Sequence, residues 1–432
     1  MIPRFAMTCR RVRHRLRRAE LAAIVAAIIF VGSPAGAEGL RPATTHNGWA
    51  IDLDSFIQID AVPWSQDAVD ELDPSTGEPL NTTTIFVRRA FLRAEARRDS
   101  WYAAMELDGN SVKGPTARLL GAQVAWSYPG PKQPLLTIAG GLMLIPFGMG
   151  VPTNARFRSF VEQPMFLQAL FPGEYDAGLR ASGEYGLVRW VVAAMNGAPT
   201  KDRQWNGRDP SASYDVLGRI GAVVPLPNRG RVEVGLSALT GSGLHAGTPP
   251  TKDQLQWVDE NQDGIVQTTE LQVIPGMVGT RSQSFHHNAI GVDAAVHWCL
   301  RGLGHGVAFF EGALSTNLDR AVIYADPIAQ SRDLRELGYA LGVVQDLGDH
   351  ALAGVRYDRY DADRDASQRA GVGLVTTNQV FSTLALMAAA RWNTVRLIAE
   401  YDHARNPTGR SDSGVPTTSA SDRVTVRAQV EF

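Results

Sequence analysis

Val424-Thr-Val-Arg-Ala-Gln-Val-Glu-Phe432 closes the chain and alternates without a break. Val424, Val426, Ala428, Val430 and Phe432 share one face, and Thr425, Arg427, Gln429 and Glu431 share the other. A period of two sets successive side chains on opposite faces of a strand, whereas a helix would scatter these residues around its circumference. One face is therefore apolar and the other wet. The pattern recurs in Ile51, Leu53, Ile57, Ile59 and Ala61 against Asp52, Asp54, Gln58 and Asp60. It recurs again in Ala90, Leu92, Ala94 and Ala96 against Arg89, Arg93, Glu95 and Arg97.

Sixteen segments of this character can be drawn, at 51–62, 84–97, 101–110, 118–127, 134–142, 176–184, 187–197, 214–224, 230–240, 284–298, 305–316, 336–346, 350–360, 380–391, 394–403 and 422–432. Each is near the ~10 residues that a tilted membrane strand needs. The connections alternate in length. Short ones at 98–100, 128–133, 185–186, 225–229, 299–304, 347–349 and 392–393 separate long ones at 63–83, 111–117, 143–175, 198–213, 241–283, 317–335, 361–379 and 404–421. Turns on one side and loops on the other predict a transmembrane antiparallel β-barrel of about sixteen strands, with short periplasmic turns and long extracellular loops. Closure removes the sheet edges that lipid could not satisfy. Tryptophan supports this independently. Trp49, Trp101, Trp126, Trp190, Trp298 and Trp392, six of nine, fall beside the chain start or a short turn, where amphipathic rings meet a membrane interface.

The whole chain of 432 residues is 44% apolar and 20% charged, a composition that permits a large folded body and excludes a disordered one. Its longest apolar run, Leu21 to Gly32, is short of the ~20 residues of a membrane helix. That run follows seven arginines in residues 1–20 and precedes Ala35-x-Ala37, the layout of a cleaved signal peptide over 1–37. A short periplasmic segment over 38–50 and a barrel domain over 51–432 are expected to follow. The formal charge of −2 changes once the leader is removed, because it holds seven basic residues and one acid. The remainder has 35 basic and 43 acidic residues, a formal −8. No basic excess marks a nucleic-acid binder.

Several local patterns resemble the phosphate-selective porin O and P family of Gram-negative outer membranes. They are Arg88-Arg89-Ala90-Phe91-Leu92-x-x-Glu95, Met105-Glu-Leu-Asp-Gly-Asn110, Gly141-x-x-x-x-Pro146-Phe147-Gly148, Phe160-Val-Glu162, Leu170-Phe-Pro-Gly173 with Gly178-Leu179, Met195-Asn-Gly197, Gly218-Arg219 and the terminal Phe432. The resemblance implies an outer-membrane channel in contact with lipid, commonly a homotrimer, passing small anions or polar solutes by passive diffusion. It also implies delivery to the barrel assembly machinery through the C-terminal strand ending in Phe432. The chain departs from the family where Ile145 precedes Pro146-Phe147 and Glu174 follows Pro172-Gly173, positions that are usually basic. Only Lys113, Lys132, Lys201 and Lys252 follow the leader, so a lysine-lined phosphate path does not carry over.

In such a barrel the 143–175 connection is the candidate constriction, since its phenylalanines suit open water poorly and would pack inside the lumen or against a neighbouring subunit. Arg156, Arg158 and Glu162 lie in it, and Arg89, Arg93, Arg180 and Arg219 fall at or near wall-facing positions. Fixed positive charge favours anions at a constriction. Arginine–carboxylate pairs that merely stiffen the wall are the competing reading, because Glu95, Glu106, Asp108 and Glu184 fall on similar faces.

The longest connection carries Asp259-Glu-Asn261-Gln-Asp263-Gly264-Ile265-Val-Gln267-Thr-Thr-Glu270, which fits the twelve-residue EF-hand loop. Asp259, Asn261, Asp263, the Ile265 carbonyl, Gln267 and Glu270 are its candidate Ca2+ ligands. Flanking helices are not evident, since Pro249, Pro250 and Pro275 bracket the loop, and a polar loop matching by chance is the alternative. No Gly-x-Ser-x-Gly elbow, His-Glu-x-x-His or phosphate-binding glycine loop occurs. No catalytic residues are therefore assigned. An esterase- or phospholipase-type barrel, or a calcium-stabilised surface or adhesion barrel, remains the alternative function.

Overall fold

The computed structural model describes residues 43–44, 48–62, 64–66, 84–112, 114–132, 134–201, 213–370, 373–376, 379–410 and 416–432. The expected signal peptide, most of the 38–50 segment and the acidic stretch 67–78 lie outside the described residues.

Sixteen strands form the barrel: β1 (Ala50–Val62), β2 (Thr84–Arg98), β3 (Trp101–Asn110), β4 (Thr116–Tyr128), β5 (Leu136–Leu144), β6 (Tyr175–Tyr185), β7 (Val188–Met195), β8 (Asp215–Pro225), β9 (Arg231–His245), β10 (Gln283–Leu300), β11 (Gly304–Thr316), β12 (Arg335–Asp346), β13 (Ala351–Asp361), β14 (Val380–Trp392), β15 (Val395–Arg410) and β16 (Pro416–Glu431). Each pairs antiparallel with the next. The ring closes where β1 meets β16, from Phe56 opposite Glu431 to Ala61 opposite Val426. The last nine residues therefore form one half of the seam. Their apolar face points out, with Val424 and Val430 exposed, and Thr425, Arg427 and Gln429 are buried inside. This apolar-out, polar-in arrangement inverts that of a soluble sheet and suits a lipid surround.

The expected strand set holds, but two connections are shorter than expected. Residues 404–421, read as a long loop, are mostly β15 and β16, which pair as far as Arg410 opposite Pro416. Likewise only 111–115 separates β3 from β4. Above the membrane a paired strand needs no apolar face, so hydrophobic alternation fades before the hydrogen bonds do. The 246–282 connection contains a hairpin of its own, Gln254–Trp257 against Leu271–Ile274.

Inside the barrel the wall is built small where the filling is large. Ala104, Ala139, Ala193, Ala289, Ala313 and Ala340 are buried on inner faces, and Phe147, Phe166, Leu167, Leu170 and Phe171 pack against them from the 145–174 connection. Residues Met165–Leu170 form helix α1 within it. Each such apolar side chain, fully buried, contributes roughly 1.5–3 kcal/mol. That connection is thus a core held within the lumen.

Candidate pore lining and the inward loop

The inward loop begins with a sharp turn at Pro146-Phe147-Gly148. Gly148 has φ +61, and a Cβ there would lie 1.9 Å from Glu311 Oε1, so both backbone and space demand glycine. The turn presents N–H groups to the wall. Gly148 N–H donates to Ser237 Oγ at 3.0 Å, and those of Met149 and Gly150 donate to the Glu311 carboxylate at 3.0 Å.

From 156 to 165 the loop runs along the inner face of β13 to β16, which grips its backbone. Arg396 donates to the carbonyls of Arg158 (2.8 Å) and Ser159 (3.1 Å), and Arg427 donates to that of Val161 (2.9 Å). Arg356 donates to the carbonyl of Glu162 at 2.6 Å, and Val161 N–H donates to Glu400 Oε2 at 2.7 Å. Arg427 also forms a bidentate pair with Asp60 at 2.7 Å. Buried carbonyls and N–H groups must find partners, and here the wall supplies them.

A second connection, 317–334, also turns inward, which the sequence reading did not anticipate. Leu318, Asp319 and Arg320 are buried, and Arg320 N–H donates to the carbonyl of Ala169 on the first loop. Arg320 Nη2 reaches Asp215 Oδ2 at 2.8 Å, and Asp215 Oδ1 meets His287 Nε2 at 2.6 Å. Tyr360 Oη donates to Asp319 Oδ2 at 2.5 Å. The apolar run Ala321-Val-Ile-Tyr324 was the available signal, the same one that marked 143–175.

The expected pore residues divide by their partners. Arg156 bridges Asp54 and Glu431, Arg158 pairs with Glu174, and Arg219 pairs with Asp293 at 2.5 Å. Arg93 sits between Glu95 (2.6 Å) and Glu106 (3.3 Å), and Glu162 is held by Arg88 at 2.6 Å. Burial opposes ionisation of Glu162, yet Arg88, Arg427 and Arg423 hold its carboxyl below the usual range. Arg89 and Arg118 share the single carboxylate of Asp108, at 3.7 and 3.6 Å. Arg180 meets Gln123 at 3.4 Å and has no ion pair among the described residues.

Lys201 completes this second group. It keeps contact with solvent while protein surrounds most of its amine, as in a wet recess. Burial first, and then Arg118, Arg89 and Arg88, hold the amine below the usual lysine range, and Glu174 opposes them. Around this recess stand Arg88, Arg89, Arg118, Arg158 and Lys201 against Asp108, Glu162 and Glu174. Among the described residues five cations face three carboxylates.

In the 259–270 loop, Asp259 accepts from the N–H groups of Asp263 (3.2 Å) and Gly264 (2.9 Å), and Asn261 Oδ1 accepts from Asp263 N–H at 3.0 Å. Gln267 Nε2 donates to Asp263 Oδ2 at 2.8 Å, and Gly264 turns at φ +71. The Ile265 N–H donates to Asp263 Oδ1 at 2.7 Å, within the same turn. Glu270 is buried and receives Trp257 Nε1 at 3.0 Å, so it faces the hairpin rather than the three upstream ligands.

A closed sixteen-stranded barrel with apolar outer faces, a charged lumen and an inward loop defines the class: it is the fold of outer-membrane porins. The outer membrane channel DcaP of Acinetobacter baumannii shares it at a TM-score of 0.56 and 10% identity, over 91% of this chain and 100% of that one. An anion-selective porin from Comamonas acidovorans follows at 0.52 and 10%, over 89% and 100%. OprB of Pseudomonas putida is similar at 0.50 and 12%, over 89% and 94%. Neither a protein-family model nor a curated relative matches the chain.

Proposed function

We propose that the protein is an outer-membrane porin, a water-filled channel for passive diffusion of small polar solutes and ions with a weak preference for anions. The observation that carries the preference is the surplus of cations at the recess, where two arginines share one aspartate and Lys201 has no ion pair among the described residues. Fixed charge beside a narrow path lowers the cost of stripping water from an anion. Phosphate is a candidate solute that the four lysines do not single out. Like its structural neighbour from Vibrio cholerae, described in a trimer form, the channel would work as a homotrimer.

The test is the reversal potential of the purified protein in a planar bilayer under a KCl gradient. The expected sign is that of an anion-preferring pore, moving toward zero in Lys201→Glu with Arg118→Glu. A wild-type potential at zero or of cation sign rejects the preference. Inorganic phosphate added as a competing anion shows whether the recess discriminates among anions.

A second reading concerns the 259–270 loop, and the turn that Asp259 closes around Gly264 favours it. We propose that this loop takes Ca2+ through Asp259, Asn261, Asp263, Ile265 and Gln267. Glu270 would then have to leave Trp257 to act as the twelfth-position ligand. The donors are all oxygen and suit a hard cation, at the millimolar affinity of extracellular sites.

A further inference from the structure

Two carboxylate oxygens on the inner face of β15, Glu400 Oε1 and Asp402 Oδ1, have no hydrogen-bond partner among the described residues. The hydroxyl of Thr425, opposite Glu400 on β16, has none either. Glu400, Asp402 and Thr425 are 1%, 4% and 2% exposed, so bulk water does not serve them. Residues two apart on a strand share a face, and directly opposed residues stand ~5 Å apart, so the three side chains are neighbours on the inner wall. Ala385 and Met387, their neighbours on β14, offer no donor side chain. The remaining oxygens are engaged: Glu400 Oε2 by Val161 N–H and Asp402 Oδ2 by Arg423 Nη2 at 2.9 Å.

Charge is short as well. Among the described residues Glu400 has no ion pair, and Asp402 has only that with Arg423. Arg423 Nε lacks a partner too. A water bridging it to the two carboxylates would supply hydrogen bonds but not the missing charge. An uncompensated buried carboxylate is costly. Carboxylate and hydroxyl oxygens are hard donors that suit alkali and alkaline-earth cations rather than thiophilic metals, and a deficit of one charge selects the monovalent kind.

We propose that the recess between Glu400, Asp402 and Thr425 binds one alkali cation of the sodium or potassium class. The cation would brace the wall that grips the inward loop, because Glu400 holds the Val161 N–H with its other oxygen. The site makes barrel stability sensitive to which cation is present even in a channel that prefers anions.

Crystals of the full chain soaked in thallium(I) nitrate provide the test, since Tl+ replaces K+ and scatters anomalously. An anomalous peak in contact with Glu400 and Asp402 is expected, and its loss in Glu400→Gln. In detergent, the unfolding midpoint is expected to be higher in NaCl than in N-methyl-D-glucamine chloride at equal ionic strength and pH, with the difference lost in the variant. If Glu400→Gln does not fold, Thr425→Val removes one ligand without touching charge and should weaken the peak. Wild-type density showing only a water, or a midpoint that follows pH but not the cation, overturns the proposal.

Discussion

The two longest connections leave the same rim of the barrel and come to rest in opposite surroundings. Residues 145–174 carry five phenylalanines and four charged side chains, and they pack inside the lumen. Residues 246–282 carry one aromatic and seven charged side chains, and they stand outside as a hairpin, with Leu255, Val273 and Met277 exposed. The inner loop gains a wall of alanines and a set of arginines aimed at its carbonyls. The outer one has only itself, so its order rests on Asp259, Asn261 and Asp263 closing a turn. What separates them is whether the barrel offers apolar contact and hydrogen-bond partners, not loop length.

The contrast breaks most visibly at Gly338. A Cβ there would lie 2.1 Å from the Cβ of Phe166, which anchors α1 and cannot yield without moving the loop. Gly338→Leu is expected to raise single-channel conductance several-fold and to lower the unfolding midpoint, since overpacking costs about 1–3 kcal/mol or more. Deleting 246–282 should leave conductance unchanged. A Gly338→Leu channel of wild-type conductance would mean that the inner loop does not narrow the path.

Charge reversals come next in size. Lys201→Glu with Arg118→Glu should move the reversal potential, whereas Asp253→Lys in the outer hairpin should not. Exposed charge is screened over about 10 Å in 0.1 M salt, while charge beside the path is screened much less. Equal shifts from both substitutions would place the selective field at the outer surface instead.

The barrel was legible because the period of two and the alternating connections both follow from lipid outside and water inside. The last strand could be read as well, since Val424 to Phe432 has one face for each, but its partner across the seam could not. That 143–175 would leave open water was legible from its phenylalanines, but whether for the lumen or for a neighbouring subunit was not. Its grip was not: Arg396 and Arg427 look like any pore-lining arginine until the carbonyls of Arg158 and Val161 are placed against them. For the same reason sequence could list Arg156, Arg158 and Arg219 among candidate pore residues but could not say that each carries its own carboxylate. That pairing depends on contacts between residues far apart in the chain, such as Arg219 with Asp293. Lys201 stood out only as one of four lysines, and the arginines around it come from β2, β4 and the inward loop.

Calcium sharpens the comparison more gently, because it acts on the outer hairpin alone. Titrating Ca2+ should change the emission of Trp257 as Glu270 is drawn from its indole, and Glu270→Gln should abolish the saturable part. Conductance should stay constant throughout. An unchanged emission would leave the turn as a calcium-free loop held by its own hydrogen bonds.

The smallest effect concerns the second inward connection, which meets the outside first. Residues Pro327–Gln330 form helix α2, capped by Asp326, which accepts from the N–H groups of Ile328 (3.1 Å) and Ala329 (3.0 Å) and meets His245 Nδ1 at 2.6 Å. Partial burial opposes ionisation, but the His245 contact and the cap hold the carboxyl below its usual value. A carboxylate with a lowered folded value stabilises above its unfolded value of ~3.9, and that contribution is lost as pH falls through the folded one. Acidification from about pH 5 to pH 3 should therefore lower the protection of the Ile328 and Ala329 amides, measured against the intrinsic exchange rate at each pH, by a few-fold. Asn caps nearly as well as Asp, so Asp326→Asn should keep the helix and remove the pH dependence. Amides of the 156–165 stretch should hold their protection over the same range, since the barrel interior rather than this cap keeps them paired. Loss of protection in both places together would show that the two inward connections open as one unit.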